Sequence, residues 1–208
     1  KVSLGIRVLR MQHKKSLVFK CRINNVFFSG CLNRNRLSWF SALAARSNRS
    51  QDRMYSRIGG EIRRRLLLKR GVHRVLDDRF QSSYIRFTQG FSQGLAAIEY
   101  AAMLANTKIA VCPPGFVSHE TIRHWEAMRL GCVIISGQLP PNRFYRGSPI
   151  IQISNWANAP AMIDELLADP SELQALHFAM ARWWRDVASE EAVANQMIRV
   201  INPTLNPS

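Results

Sequence analysis

No run in the 208-residue chain approaches the ~18 uninterrupted apolar residues that a membrane span requires, so the sequence as given encodes no transmembrane helix. The first twenty residues, starting at Lys1, lack the apolar core of a signal peptide, and the chain reads as a fragment or a trimmed protein. Neither absence fixes a compartment, and cytoplasmic and Golgi or membrane-associated locations both stay open. The four cysteines, Cys21, Cys31, Cys112 and Cys132, form no Cys-x-x-Cys pair and keep no regular spacing, which argues against a zinc module or a disulfide framework. Cys112 and Cys132 lie beside apolar runs and are expected as buried free thiols, since free cysteine packs as a small hydrophobe.

Acidic residues are scarce in one half only. Residues 1–90 hold 21 Lys/Arg against 4 Asp/Glu, net +17, whereas residues 91–208 hold 8 against 10, net −2. A positive field of that kind attracts any polyanion: a nucleotide diphosphate or an acidic membrane surface as well as RNA. The 47% hydrophobic content predicts a globular domain with its own core.

The hydrophobic pattern alternates between strand and helix. The segment NNVFFSG (24–30) reads as a buried strand ending in a small-residue turn, followed by a helix over about 34–46. Residues 47–78 are polar and arginine-rich, broken by Gly59-Gly60 and Gly71, and read as a solvated charge run. The pattern LAAIEYAAMLANT (95–107) predicts a helix that leads into the apolar strand KIAVC (108–112), stopped by Pro113 and Pro114. A helix over 120–130 then enters the strand CVIIS (132–136), and PIIQIS (149–154) supplies a further strand before a helix around 159–167. The chain closes with helices opening at Asp169-Pro170 and Ser189. Strands alternating with helices of about ten residues predict a parallel sheet with right-handed crossovers, covered on both faces. Trp183 and Trp184 continue the apolar stripe of Leu173, Leu176 and Met180 and are expected to pack.

The stretch SHETIRHWEAMRLGCVIIS (118–136) concentrates chemistry. His119 and His124 stand five apart, an offset of ~140° at ~100° per residue, so one helix cannot bring both imidazoles to one ion and no metal is expected there. Arg123 and Glu126 stand three apart on one face near the helix N-terminus, where the helix dipole is positive. They form either an intrahelical ion pair or part of a ligand site. The preceding strand and PPG turn favour the ligand, because open α/β sheets bind ligands beyond the carboxyl ends of their strands. Helix amides and Arg123 would take a phosphate, and the carboxylate one turn on would accept from sugar hydroxyls.

These residues carry a family resemblance. Cys112, Pro114 and Gly115, then Thr121, Arg123 and Glu126, then Gly131-Cys132-Val133 resemble the donor-binding half of exostosin-like glycosyltransferases. EAMRLG (126–131) is also similar to a segment of retaining GT-B enzymes whose glutamate contacts the donor ribose. Those enzymes carry an acidic residue eight positions earlier, where this chain has Ser118, a departure toward the exostosin-like branch. Upstream, VFFSG (26–30) and Arg36 resemble the first strand, glycine turn and diphosphate-facing arginine of the same domain, and Ser3-Leu4-Gly5 resembles a hinge remnant.

The resemblance implies an α/β, Rossmann-like parallel sheet flanked by helices, the C-terminal half of a GT-B glycosyltransferase. A linker spans 1–23 and the nucleotide-sugar-binding domain 24–208, with a basic irregular insert at about 47–80. It implies an enzyme that transfers a hexose or pentose from a nucleotide diphosphate donor, UDP- or GDP-linked, to a glycan or other acceptor. No metal or resident cofactor is needed, and an N-terminal Rossmann-like domain supplies the catalytic base. The donor site implied comprises Gly30, Arg36, Gly115, Ser118, Thr121, Arg123 and Glu126. The alternatives are a basic nucleic-acid-binding module and a non-catalytic, degenerate domain of the same fold. Against the former, no aromatic residues interleave with the arginines of 57–74, and specific nucleic-acid binding is not expected.

Overall fold

The structure is a computed structural model that describes residues 19–46, 74–88 and 93–202. The hinge-like Ser3-Leu4-Gly5 and most of the basic insert lie outside these residues. Six strands form one sheet: β1 (Asn24–Cys31), β2 (Arg74–Val75), β3 (Ser83–Thr88), β4 (Thr107–Cys112), β5 (Val133–Ser136) and β6 (Ile151–Gln152), in the order β2-β3-β1-β4-β5-β6. All neighbours pair in parallel except β2, which runs antiparallel to β3. The helices are α1 (Leu37–Ala45), α2 (Ala97–Ala105), α3 (Ile122–Arg129), α4 (Ala159–Ala168), α5 (Pro170–Trp183) and α6 (Glu190–Ile201), with a π turn at Trp184–Ala188 joining the last two. Among the described residues no helix is long and apolar enough to cross a membrane.

The two-residue period of the strands sorts the core into two layers. Val26 and Phe28 of β1, Ile109 and Val111 of β4, and Val133 and Ile135 of β5 pack with Trp39, Phe40 and Leu43 of α1 and Ile163 of α4. The intervening residues Phe27, Ala110, Cys112 and Ile134 point the other way, onto Tyr100 and Leu104 of α2 and Ala127 and Met128 of α3. Burial on both faces is why these strands read as continuous apolar runs instead of alternating ones. Cys112 and Cys132 are buried free thiols, and Trp183 and Trp184 pack against the second layer, as expected from their positions.

Three details differ from the sequence expectation. The SYIRFT segment forms β3, which lies directly beside β1 in register from Val26–Ser83 to Cys31–Thr88. The strand expected over 149–154 pairs only at Ile151–Gln152, and the Ile153 amide, donating to the Ser136 carbonyl, makes the last bond of that ladder. Packed structure also begins earlier than Asn24: Phe19 and Arg22 are 6% and 2% exposed within the stretch read as a linker.

The strand order fixes where a ligand would meet the fold. The chain leaves β1 for β3 on one side of the sheet, and leaves β4 for β5 on the other. The crevice beyond the carboxyl ends of β1 and β4 is thus the topological switch point, where no crossover connection covers the strand ends.

Candidate functional site

Two loops meet at this crevice. In the first, β1 ends in Ser29-Gly30-Cys31, and Asn33 starts the 3-10 turn Arg34–Arg36, its Oδ1 accepting from the Asn35 amide at 2.9 Å. In the second, Pro113 and Pro114 end β4 because neither offers an N–H to a ladder. The Gly115 amide then donates to the Ser118 carbonyl (2.8 Å), closing the turn that leads to Thr121, the N-cap of α3. Asn35 Nδ2 ties the loops together by donating to the Gly115 carbonyl at 2.6 Å.

Arg36 and Arg123 converge between the loops. Arg36, 3% exposed, donates from Nε to the Pro114 carbonyl (2.9 Å) and from Nη1 to the Cys31 carbonyl (2.8 Å). Arg123 reaches from α3 to β1, donating from Nε and Nη2 to the Ser29 carbonyl at 3.1 and 2.8 Å. Both guanidinium carbons lie near the Phe28 ring, 5.7 and 5.9 Å from its centroid. Gly30 makes this possible: a Cβ there would stand 2.6 Å from Arg123 Nη2 and 2.9 Å from Arg36 Nη1. Any side chain at position 30 would push both cations off the backbone.

The electrostatics are those of a site short of negative charge. Burial, reinforced by repulsion from Arg123, pulls the Arg36 guanidinium down to about 10 from its usual value. Among the described residues neither arginine forms an ion pair with a carboxylate, and Arg36 Nη2 and Arg123 Nη1 make no hydrogen bond. Asn33, 1% exposed, holds a further donor, Nδ2, that has no partner. Buried donors are satisfied in the great majority of cases, so this one asks for an acceptor that the described residues do not supply. Cys112 sits beneath the pair. Its thiol is pushed up to about 12 by burial, although both arginines pull the other way, so it is a packing group and not a nucleophile.

The remaining expected residues surround this pair unequally. Gly115 is half-buried in the turn, where a Cβ would meet the Ser118 carbonyl at 3.2 Å. Ser118 is exposed, and its Oγ accepts from the Glu120 amide (3.1 Å). Thr121 gives its amide to His124 Nδ1 at 3.1 Å, which leaves the amides of Ile122 and Arg123 as the open end of α3. Glu126 is 2% exposed, and its charge acts on the Cys112 thiol. Asn33, Asn35 and Ser29 were not singled out from sequence. The alternating Asn-Arg-Asn-Arg run of 33–36 is the available signal for the first two, whereas Ser29 acts only through its carbonyl.

The histidine pair of the 118–136 stretch is split by its surroundings. His119 is exposed with Nδ1 at 2.9 Å from the Gln138 carbonyl, whereas His124 is fully buried with Nε2 at 2.7 Å from Ser136 Oγ. Among the described residues no group of three or more His, Cys, Asp or Glu could hold a metal ion.

Neither a protein-family model nor a curated protein sequence matches the chain. Among solved structures it is similar to sucrose-phosphate synthase from Thermosynechococcus elongatus, with a TM-score of 0.53 and 17% identity over 97% of this chain and 49% of that one. The chain thus spans about half the length of that protein. At this identity the likeness is one of fold: a Rossmann-like α/β domain of the kind found in GT-B glycosyltransferases.

Proposed function

We propose that this domain binds the nucleotide diphosphate sugar of an exostosin-like glycosyltransferase, holding the diphosphate between the β1–α1 turn and the N-terminus of α3. The observation that carries the reading is the pair of guanidiniums packed together over Gly30 with, among the described residues, no carboxylate paired to either. Two like charges crowded in a buried crevice are costly on their own, and an anion offsets that cost. Arg36 Nη2, Arg123 Nη1, Asn33 Nδ2 and the amides of Ile122 and Arg123 form the cradle. Gly115, Ser118 and Thr121 shape its second wall. Glu126 accepts from the ribose where the nucleoside reaches the α3–β4 seam.

The chemistry assigned to this site is stabilisation of the leaving group. The acceptor hydroxyl oxygen bonds to the anomeric carbon as the carbon–oxygen bond to the diphosphate breaks, and that bond's electron pair leaves with the nucleotide. Charge grows on the diphosphate oxygen, where preorganised guanidiniums oppose it. They supply the positive charge that a divalent ion would otherwise bring. The proton of the acceptor hydroxyl goes to a base on a second, N-terminal Rossmann-like domain, and the acceptor, a glycan or another hydroxyl compound, docks between the two. UDP and GDP are the donor nucleotides to try first.

Titration calorimetry with UDP, GDP, inorganic pyrophosphate, uridine and guanosine tests the reading. Arg123→Ala is expected to weaken diphosphate binding by about 1.5–3 kcal/mol, the worth of a hydrogen bond to a charged group, and to leave nucleoside binding alone. Equal diphosphate affinity in the two proteins would remove the assignment. A short RNA bound more tightly than any diphosphate at physiological salt would replace it with the nucleic-acid reading.

A further inference from the structure

His124 is the one site-proximal side chain whose chemistry the proposed function leaves unused. It is 0% exposed and satisfied at both ends. Nδ1 lies 3.1 Å from the Thr121 amide, 3.2 Å from Thr121 Oγ1 and 3.0 Å from the Thr121 carbonyl, and Nε2 lies 2.7 Å from Ser136 Oγ, itself 0% exposed at the carboxyl end of β5. In the tautomer that accepts from the amide, the ring proton is on Nε2 and is donated to Ser136. Tyr145 lies at its edge, with ring centroids 6.4 Å apart, and Glu120 and Arg123 are the charged groups that act on it. Burial holds the imidazole neutral, its pKa pulled down to about 4.

Histidine here occupies the third helical position and reaches back to the N-cap amide, so that Thr121 and His124 form a capping box. Glutamate or glutamine makes that reciprocal bond in the usual version. At most helix starts a glutamate is favourable, because its charge suits the positive end of the helix dipole. At an anion site the same charge would repel the ligand. Glutamine would be neutral and could still accept from the Thr121 amide, so it keeps the two properties that the anion site needs.

We infer that His124 is a positioning residue for the diphosphate site, capping α3 without negative charge and fixing its first turn, with the Ile122 and Arg123 amides, against the end of β5. The inference rests on the diphosphate reading above. It differs from a plain packing role in what it says about charge: the group at position 124 must accept from Thr121 and must be neutral.

The test compares His124→Gln, His124→Glu and His124→Leu with the unsubstituted chain, for binding of UDP, pyrophosphate and uridine and for thermal unfolding. His124→Gln should stay within about threefold of the parent in UDP and pyrophosphate affinity. His124→Glu should lose tenfold or more for both anions while uridine affinity follows His124→Gln, and its unfolding temperature should fall below that of His124→Gln, since an ionised carboxylate at a fully buried position is costly. Glu equal to Gln in anion affinity would overturn the inference. If the Glu variant does not fold, the Gln and Leu variants decide: Leu should lose about tenfold while Gln does not, and equal affinities would overturn it. Nitrogen-15 chemical shifts at neutral pH should show Nδ1 of His124 unprotonated and Nε2 protonated, and the opposite tautomer would overturn it as well. Failure of the unsubstituted chain to bind any diphosphate removes the proposed function and this inference together. Binding that ignores position 124 removes the inference alone.

Discussion

At the amino ends of β4 and β5, Arg22 is 2% exposed and gives Nη1 to the Thr107 carbonyl at 2.5 Å and Nη2 to the Leu130 carbonyl. Beside it, His177 Nδ1 donates to the Gly131 carbonyl and the ring stacks on Phe19 with centroids 4.8 Å apart. At the carboxyl ends of β1 and β4 the same residue types recur, but Arg36 and Arg123 crowd each other over Gly30 and leave nitrogens without protein acceptors. Both ends bury guanidinium and imidazole, so burial and residue type do not tell a staple from a ligand site. The distinction lies in where the donors finish. Arg22 joins the 3-10 turn at Phe19–Cys21 to β4 and to the start of β5 through main-chain carbonyls, whereas the pair at the other end adds a mutual repulsion that its own carbonyl contacts do not relieve.

The largest effect that separates the two ends should come from Arg22→Ala. It removes two hydrogen bonds from a charged group to buried carbonyls, and at ~1.5–3 kcal/mol for each the domain should lose about 4 kcal/mol in urea unfolding. Diphosphate affinity of the folded fraction should not change. A loss under about 1 kcal/mol would put Arg22 outside the staple class.

Acid should act next most strongly, and it acts through histidine. The unfolded chain takes up a proton on position 124 near pH ~6.5, whereas the folded chain resists until about 4, so the unfolded state binds more protons throughout that window. Stability is therefore expected to fall as pH drops from ~6.5 to ~4, by on the order of 3 kcal/mol for this residue at ~1.4 kcal/mol per unit. His177, also lowered by burial, adds in the same direction. His124→Gln should flatten most of the slope; an unchanged slope would place the titration elsewhere.

The smallest effects sharpen the contrast, because two glycines should trade stability against binding. Gly131 has φ +66° and a Cβ there would lie 2.9 Å from His177 Cε1, so Gly131→Ala meets both a left-handed backbone and a ring held by its own hydrogen bond. It should cost about 2 kcal/mol of stability with no effect on ligand affinity. At Gly30 a Cβ would meet only the far ends of two flexible side chains, so Gly30→Ala should cost less than about 1 kcal/mol in folding yet weaken diphosphate binding about tenfold by displacing the guanidiniums. Equal patterns for the two glycines would erase the difference between the ends.

The run from β4 through α3 to β5 could be read from sequence because each element is a contiguous period: apolar KIAVC, a proline stop, a helical face and VIIS. Arg123 could be picked out because a helix start after a strand and a proline turn is a local pattern, whereas Gly30, Arg36 and Gly115 are reached through the resemblance to exostosin-like glycosyltransferases. Less was visible where a role depends on a distant partner. β3 escaped notice behind the basic insert, although Ile85 and Phe87 of SYIRFT alternate and are fully buried. Arg22 is one of 21 basic residues in its half of the chain, and nothing local marks it as the one that docks on Thr107, 85 residues away. His124 read as half of a rejected metal pair, because its acceptor and donor roles are set by Thr121 and Ser136 together.

On the β6 side the described sheet closes with Ile151–Gln152, a strand two residues long. An incoming chain that sought to extend the sheet on that flank would find a ladder too short to register against. The long apolar strands that would template such growth, β1 and β4, are enclosed between other strands. The part of the domain richest in phenylalanine, isoleucine and valine is thereby held away from that edge.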